Sequence, residues 1–256
     1  MDHICAGNPR TRRRRKLAMR TREETAVTSK CSEDHMDECR VTVGEFREFV
    51  RRTAYITDCE KHDSGWIFVK GKWQKKYDAS WDNPYIDQEE QDPVVLVSWH
   101  DAVMFANWKS ARDGLTQAYS FMKTHDDCIV GVDPSAAGYR LPTEREWEAA
   151  NCDSAVALVR PVTPSKQRFN QSGQGFPGAR WSQGGAAAER LEWCWDPGEP
   201  AASGGGGNHA DSGFTEARIC RGDSVVGPDG RLEVSRGTCD PFSAATTLGF
   251  RLIRGT

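Results

Sequence analysis

No apolar run in this chain approaches the roughly 20 residues that a membrane-crossing helix requires. The nine cysteines contain no C-x-x-C, which argues against a zinc ribbon and a thioredoxin-type redox site. The six histidines are dispersed and form no H-E-x-x-H; "HDDC", His125 to Cys128, is the one local cluster of ligand-type residues, and Asp-rich turns explain it without a metal. No internal repeat is found. The basic run "RTRRRRKLAMR" is followed by no apolar stretch, so no standard secretory signal is read, and reduced thiols in a cytoplasmic setting are the default expectation. A net charge of −3 gives no general attraction to polyanions, so nucleic acid is not expected as a partner.

What is present is a long chain of 256 residues, enough for one large domain or two small ones, with a real core. The cysteine count is odd, so at least one thiol stays unpaired or pairs between chains. Nine tryptophans and 24 glycines point to short elements joined by long ordered loops rather than to a helical bundle. Residues 1–37 are polar and aperiodic and read as a basic, disordered tail, leaving 38–256 as the domain.

Three helix starts are legible. In "VTVGEFREFVRRT", Thr42 and Glu45 have capping-box spacing and Val43, Phe46, Phe49 and Val50 share a face, which predicts a helix over 43–53. Ser98 and Asp101 open a second, over "WHDAVMFANWKSARDG", with Gly114 as its stop. In "YRLPTEREWEAA", three glutamates lie within five residues, the type of cluster that can also serve as general acid and base. Thr143 and Glu146 again have capping spacing, and Glu144 lies where a helix dipole favours negative charge, so scaffold chemistry accounts for them. "GWIFVKGKWQ" reads as two strands around a turn at Lys70-Gly71, and "VVLVS", "LEWCWDP" and "LGFRLIR" as short strands. Turns are read at Pro228-Asp229-Gly230 and Asp240-Pro241. The class is α+β with few short helices, short antiparallel strands and much coil.

Four segments, "VTVGEFREFVRRTAYITDCEK", "DPVVLVSWHDAVMFANW", "YRLPTEREWEAA" and "LGFRLIR", stand in this order between Asp37 and Arg254. Together they resemble the formylglycine-generating enzyme, or sulfatase-modifying factor, family. The resemblance implies a variant of the C-type lectin fold. It also implies several roles, among them copper-dependent oxidation of a substrate cysteine and ligand binding, so fold alone does not fix function.

The departures are informative. The oxidases carry two close cysteines just after a motif like R-G-G-S, where paired thiolates suit soft Cu(I). Here the corresponding run is "CRGDSVVGPDGRLEVSRGTC". Arg221, Gly222 and Ser224 match, Asp223 does not, and no thiol lies between Ser224 and Cys239. Cys220 and Cys239 flank the run. The family's G-N-x-W-E-W block appears as "AERLEWCWD", keeping Glu192 and Trp193 while Leu191 replaces a tryptophan that borders the oxidase site. The resemblance implies calcium ligands at Glu192 and Asn170, with much of both sites altered or deleted. "RGDS", Arg221 to Ser224, matches an integrin-ligand tetrapeptide, but the resemblance places it on a strand.

The reading is a non-catalytic ligand-binding or structural module, with protein, peptide or glycan as the partner class. Its candidate contacts are Trp195, His209, Asp211, Asp229 and Arg231, on the irregular C-terminal half. Calcium is the cofactor to test and copper is not expected. The alternative is an oxidase converting a peptide cysteine to formylglycine with Cys220 and Cys239, assisted by Ser224. It requires the two sulfurs to lie within roughly 5 Å, given metal–sulfur bonds of about 2.3 Å.

Overall fold

The computed structural model describes residues 35–36, 40–62, 65–70, 72–123, 128–157, 179–181, 190–199, 216–226 and 232–255. In chain order the elements are β1 (His35–Met36), α1 (Val43–Thr53), α2 (Asp58–Lys61), β2 (Gly65–Val69), β3 (Lys72–Lys76), α3 (Trp99–Arg112), β4 (Tyr119–Lys123), β5 (Cys128–Val132), β6 (Tyr139–Arg140), α4 (Glu144–Ala157), β7 (Ala179–Trp181), β8 (Leu191–Gly198), β9 (Ala217–Val226), β10 (Leu232–Cys239), β11 (Leu248–Gly249) and β12 (Ile253–Arg254). This is the expected α+β arrangement.

Each long helix starts where its capping pair stands. Thr42 Oγ1 accepts from Glu45 N at 3.3 Å while Thr42 N donates to the Glu45 carboxylate at 3.0 Å. Ser98 and Asp101 make the same reciprocal pair at 3.0 and 2.8 Å, as do Thr143 and Glu146 at 3.3 and 2.7 Å. Two otherwise orphaned N–H groups are satisfied each time. α3 ends at Arg112, and Gly114 follows in the left-handed region at φ +71°. A fourth box, Thr57 with Glu60, opens the one-turn α2 and was not foreseen; its signal is the "TDCE" spacing.

Five strands form the main sheet in the order β11-β8-β9-β10-β7, with β8, β9, β10 and β7 antiparallel and β11 parallel to β8. A second sheet has the order β1-β12-β6. β2–β3 is the foreseen hairpin, whereas the hairpin β4–β5 was not anticipated. The alternation of β8 and β9 splits the main sheet into two faces. Trp193, Cys220 and Cys239 join the central core with Phe46, Phe49, Trp99, Phe105 and Phe250. On the other face Cys194 and Ile219 pack with Trp147 of α4.

Two strand expectations are corrected. "VVLVS" is buried at Val94, Leu96 and Val97 but is not a strand. Leu96 is left-handed, φ 59°, which breaks the extended run. The segment instead bonds to two loops, Val94 N to Val41 O at 2.9 Å and Leu96 N to Ala245 O at 3.1 Å. "LGFRLIR" divides into β11 and β12, which belong to different sheets. Gly249 allows the crossing, because a Cβ there would lie 2.4 Å from the Val94 carbonyl oxygen. His35 and Met36, within the segment read as tail, pair with Arg254 and Ile253.

Candidate functional site

The three glutamates of α4 are held by cations. Glu146 caps Thr143 and takes both outer nitrogens of Arg140, at 2.9 and 2.8 Å. Burial pushes its carboxyl up, but the Arg140 and Thr143 bonds outweigh that and leave it below its ordinary value. Glu144 accepts from Arg236 Nε at 2.6 Å and Arg221 Nη1 at 3.1 Å, and Glu148 from Arg221 Nη2 at 2.6 Å. These bonds tie α4 to β9 and β10, so the glutamates are scaffold. They also engage Arg221, which is buried beneath α4 on β9 rather than offered in an exposed turn, against an integrin-type role for "RGDS".

Glu192 lies on β8 with no exposed surface. One carboxylate oxygen accepts from Arg40 Nε and, at 2.8 Å, from Arg251 Nη2. The other accepts from Arg251 Nε and, at 2.8 Å, from the Trp147 indole. Desolvation alone would raise this acid, yet the two guanidiniums hold it below the ordinary glutamate value. Calcium takes six to eight oxygen ligands, whose negative charge it neutralises itself. A carboxylate already neutralised by two arginines does not fit that ion. Asn170 lies outside the described residues.

Cys220 on β9 and Cys239 on β10 bring their sulfurs to 2.9 Å, and neither has any exposed surface. The distance meets the requirement set for a shared site. Burial, then the hydrogen bond with Cys220, pushes the Cys239 thiol well above its usual value. Two sulfurs holding one copper in line, at about 2.3 Å each, would stand roughly 4.6 Å apart. The observed pair is too close for that geometry and sealed from a substrate thiol, so it does not fit copper as it stands. Ser224 is on β9, opposite Val234.

Trp195 is half-buried on β8, tilted against Trp99 and Tyr119 with ring centroids 5.1 Å away in each case. Arg218 from β9 lies over Trp99 at 4.2 Å and over Trp195 at 5.3 Å, and donates to the Trp195 carbonyl at 3.0 Å. Desolvation depresses the Arg218 guanidinium, an effect opposed by Glu216. Arg218 was missed from sequence, since only its place opposite Pro197 on the neighbouring strand brings it to these rings. His209, Asp211, Asp229 and Arg231 lie outside the described residues, as do His125, Asp126 and Asp127. Among the described residues, no three metal-ligating side chains converge, and no helix is long and apolar enough to cross a membrane.

Comparison with known proteins gives these arrangements a context. The family described as "Sulfatase-modifying factor enzyme 1-like domain" matches residues 4–188. The formylglycine-generating enzyme of Streptomyces coelicolor is 27% identical over 274 residues, covering 85% of this chain and 76% of its own length. Chaperone protein LppX of Paenibacillus barcinonensis is 27% identical over 180 residues, 65% of this chain, which spans 55% of that relative. The mouse protein named inactive C-alpha-formylglycine-generating enzyme 2 is 30% identical over 152 residues, covering 50% of this chain and 39% of its own. Among solved structures, CarF aligns with a TM-score of 0.49 at 20% identity, over 87% of this chain and 86% of its own. With well over half of its residues matched, the chain belongs to the sulfatase-modifying factor enzyme 1-like family.

Proposed function

We propose that this chain is a non-catalytic ligand-binding or structural module built on a sulfatase-modifying factor scaffold. The observation that supports this reading is that, among the described residues, no accessible thiol pair stands at the position that corresponds to the oxidase site. The run from Val225 to Ser235 contains no cysteine. The nearest pair, Cys220 and Cys239, is wholly buried. Relatives named as enzymes, one named inactive and one named a chaperone are compatible with either outcome, so the site must decide. The recognition surface is placed on the C-terminal half around Trp195, with His209, Asp211, Asp229 and Arg231 as further contacts and a protein, peptide or glycan as the ligand.

The second reading is the oxidase, with Cys220 and Cys239 as copper ligands and Ser224 assisting. The placement of Cys220 and Cys239 as neighbours on adjacent strands favours it; their burial, and a sulfur separation shorter than a linear two-sulfur copper site needs, weigh against it. The test is to add Cu(I) to the full chain, measure bound metal, and record oxygen uptake with a cysteine-containing peptide. The expected result is no stoichiometric copper and no thiol-dependent uptake. Stoichiometric copper with uptake lost on Cys220→Ser or Cys239→Ser would overturn the non-catalytic reading.

A further inference from the structure

We propose that Cys220 and Cys239 are the site of a cross-strand disulfide that locks β9 to β10 inside the core. On the antiparallel ladder Cys220 stands opposite Gly237, and Cys239 opposite Arg218. The two cysteines are therefore diagonal neighbours on one face, a separation at which Cβ atoms are usually somewhat under 7–8 Å apart. Gly237 has no side chain, which leaves the Cys220 sulfur room to lean along the ladder. The result is a sulfur–sulfur approach of 2.9 Å with both residues at 0% exposure. Closing the remaining gap to a bond of about 2.05 Å needs less movement than opening the pair to the roughly 4.6 Å of a linear two-sulfur metal site. Cys194, although on the adjacent strand, points to the opposite face with Trp147 and Ile219 and is not part of the pair.

The chemistry is exchange with an external small-molecule disulfide. One cysteine thiolate attacks a sulfur of that disulfide, expelling one thiol and forming a mixed disulfide. The second thiolate then displaces the other thiol. The chain loses two protons and two electrons overall, and the external disulfide takes them up to become two thiols. Burial leaves both sulfurs unreachable in the closed sheet, so exchange occurs while β9 and β10 are apart, during folding or local opening. Once closed, the same burial shields the bridge from reductant. The bridge spans a separation of 19 residues.

The experiment refolds the full chain in a mixture of oxidised and reduced glutathione, blocks free thiols under denaturing conditions and digests without reductant. Mass spectrometry should find one peptide pair joined through Cys220 and Cys239. The bridged form should melt about 6–13 °C above the reduced form, from the loop-closure effect spread over a domain of this size. The shift should survive Cys194→Ala and vanish in the double variant Cys220→Ala/Cys239→Ala. Recovery of both thiols blocked and unlinked after oxidative refolding of the unmodified chain would overturn the bridge while leaving the non-catalytic reading intact. Stoichiometric copper held by the pair with oxygen uptake would overturn both.

Discussion

Glu192→Gln is the sharpest test of how the two sheets are joined. Glu192 sits on β8, while its partners Arg40 and Arg251 flank α1 and β12 and its indole donor Trp147 belongs to α4. The substitution puts a neutral amide between two largely covered guanidiniums and turns one acceptor atom into a donor facing donors. Removing one partner of a buried ion pair costs about 3–5 kcal/mol, because the other charge is left uncompensated. Against a total stability of about 5–15 kcal/mol this is a large share. For a domain of this size it corresponds to a fall in Tm of about 6–20 °C. Urea and thermal unfolding should be run on both proteins with a chelator and with calcium. If Glu192 is a structural counter-ion, the deficit is equal in both conditions. If it were a calcium ligand, calcium at 100 times its dissociation constant would stabilise the unmodified protein alone by about 2.7 kcal/mol. A loss below about 1 kcal/mol, or one seen only with calcium, would refute the reasoning. The pH dependence has a definite sign. The folded-state acid is held below its unfolded value, so its contribution is present above the ordinary glutamate range and fades as pH falls through the lower folded pKa.

Asp101 should behave in the opposite way. Burial, and then the nearby Asp58 carboxylate, push its pKa up to about 7, while bonds from Ser98 N, Asp58 N and Tyr55 OH partly offset this. The folded state therefore holds a proton that the unfolded chain releases, and stability should fall as pH rises from about 4 to 7. Unfolding of Asp101→Asn should be less stable overall, by about 1–3 kcal/mol for the imperfect acceptor, but flatter across that window; an unchanged slope would assign the pH response elsewhere. Gly249→Ala should destabilise by about 1–3 kcal/mol or more, since its Cβ would meet the Val94 carbonyl oxygen at 2.4 Å. Near-native Tm for that variant would show that the crossing of β11 past the 94–98 segment is looser than described.

The helix starts were legible because their causes are local. Thr42 with Glu45, Ser98 with Asp101, and Thr143 with Glu146 each satisfy backbone donors within three residues, so spacing suffices to place them. The same locality explains why the glutamate cluster of α4 read as scaffold before its arginine partners were known. "VVLVS" misled for the converse reason. Its composition reports burial, but only contacts with Val41 and Ala245, distant in sequence, set the backbone of Leu96 left-handed.

The candidate site was readable only as a set of residue types. Sequence identified Cys220 and Cys239 and the missing thiols between them; the ladder register brings the sulfurs together, and burial in the core keeps them from outside contact. Sequence likewise marked Glu192 as an acid worth explaining, and tertiary structure surrounded it with Arg40, Arg251 and Trp147. Capping and alternation act over a few residues and are written in the chain. Charge compensation and sulfur proximity depend on groups that are 19 to 152 positions apart, and only folding brings those together.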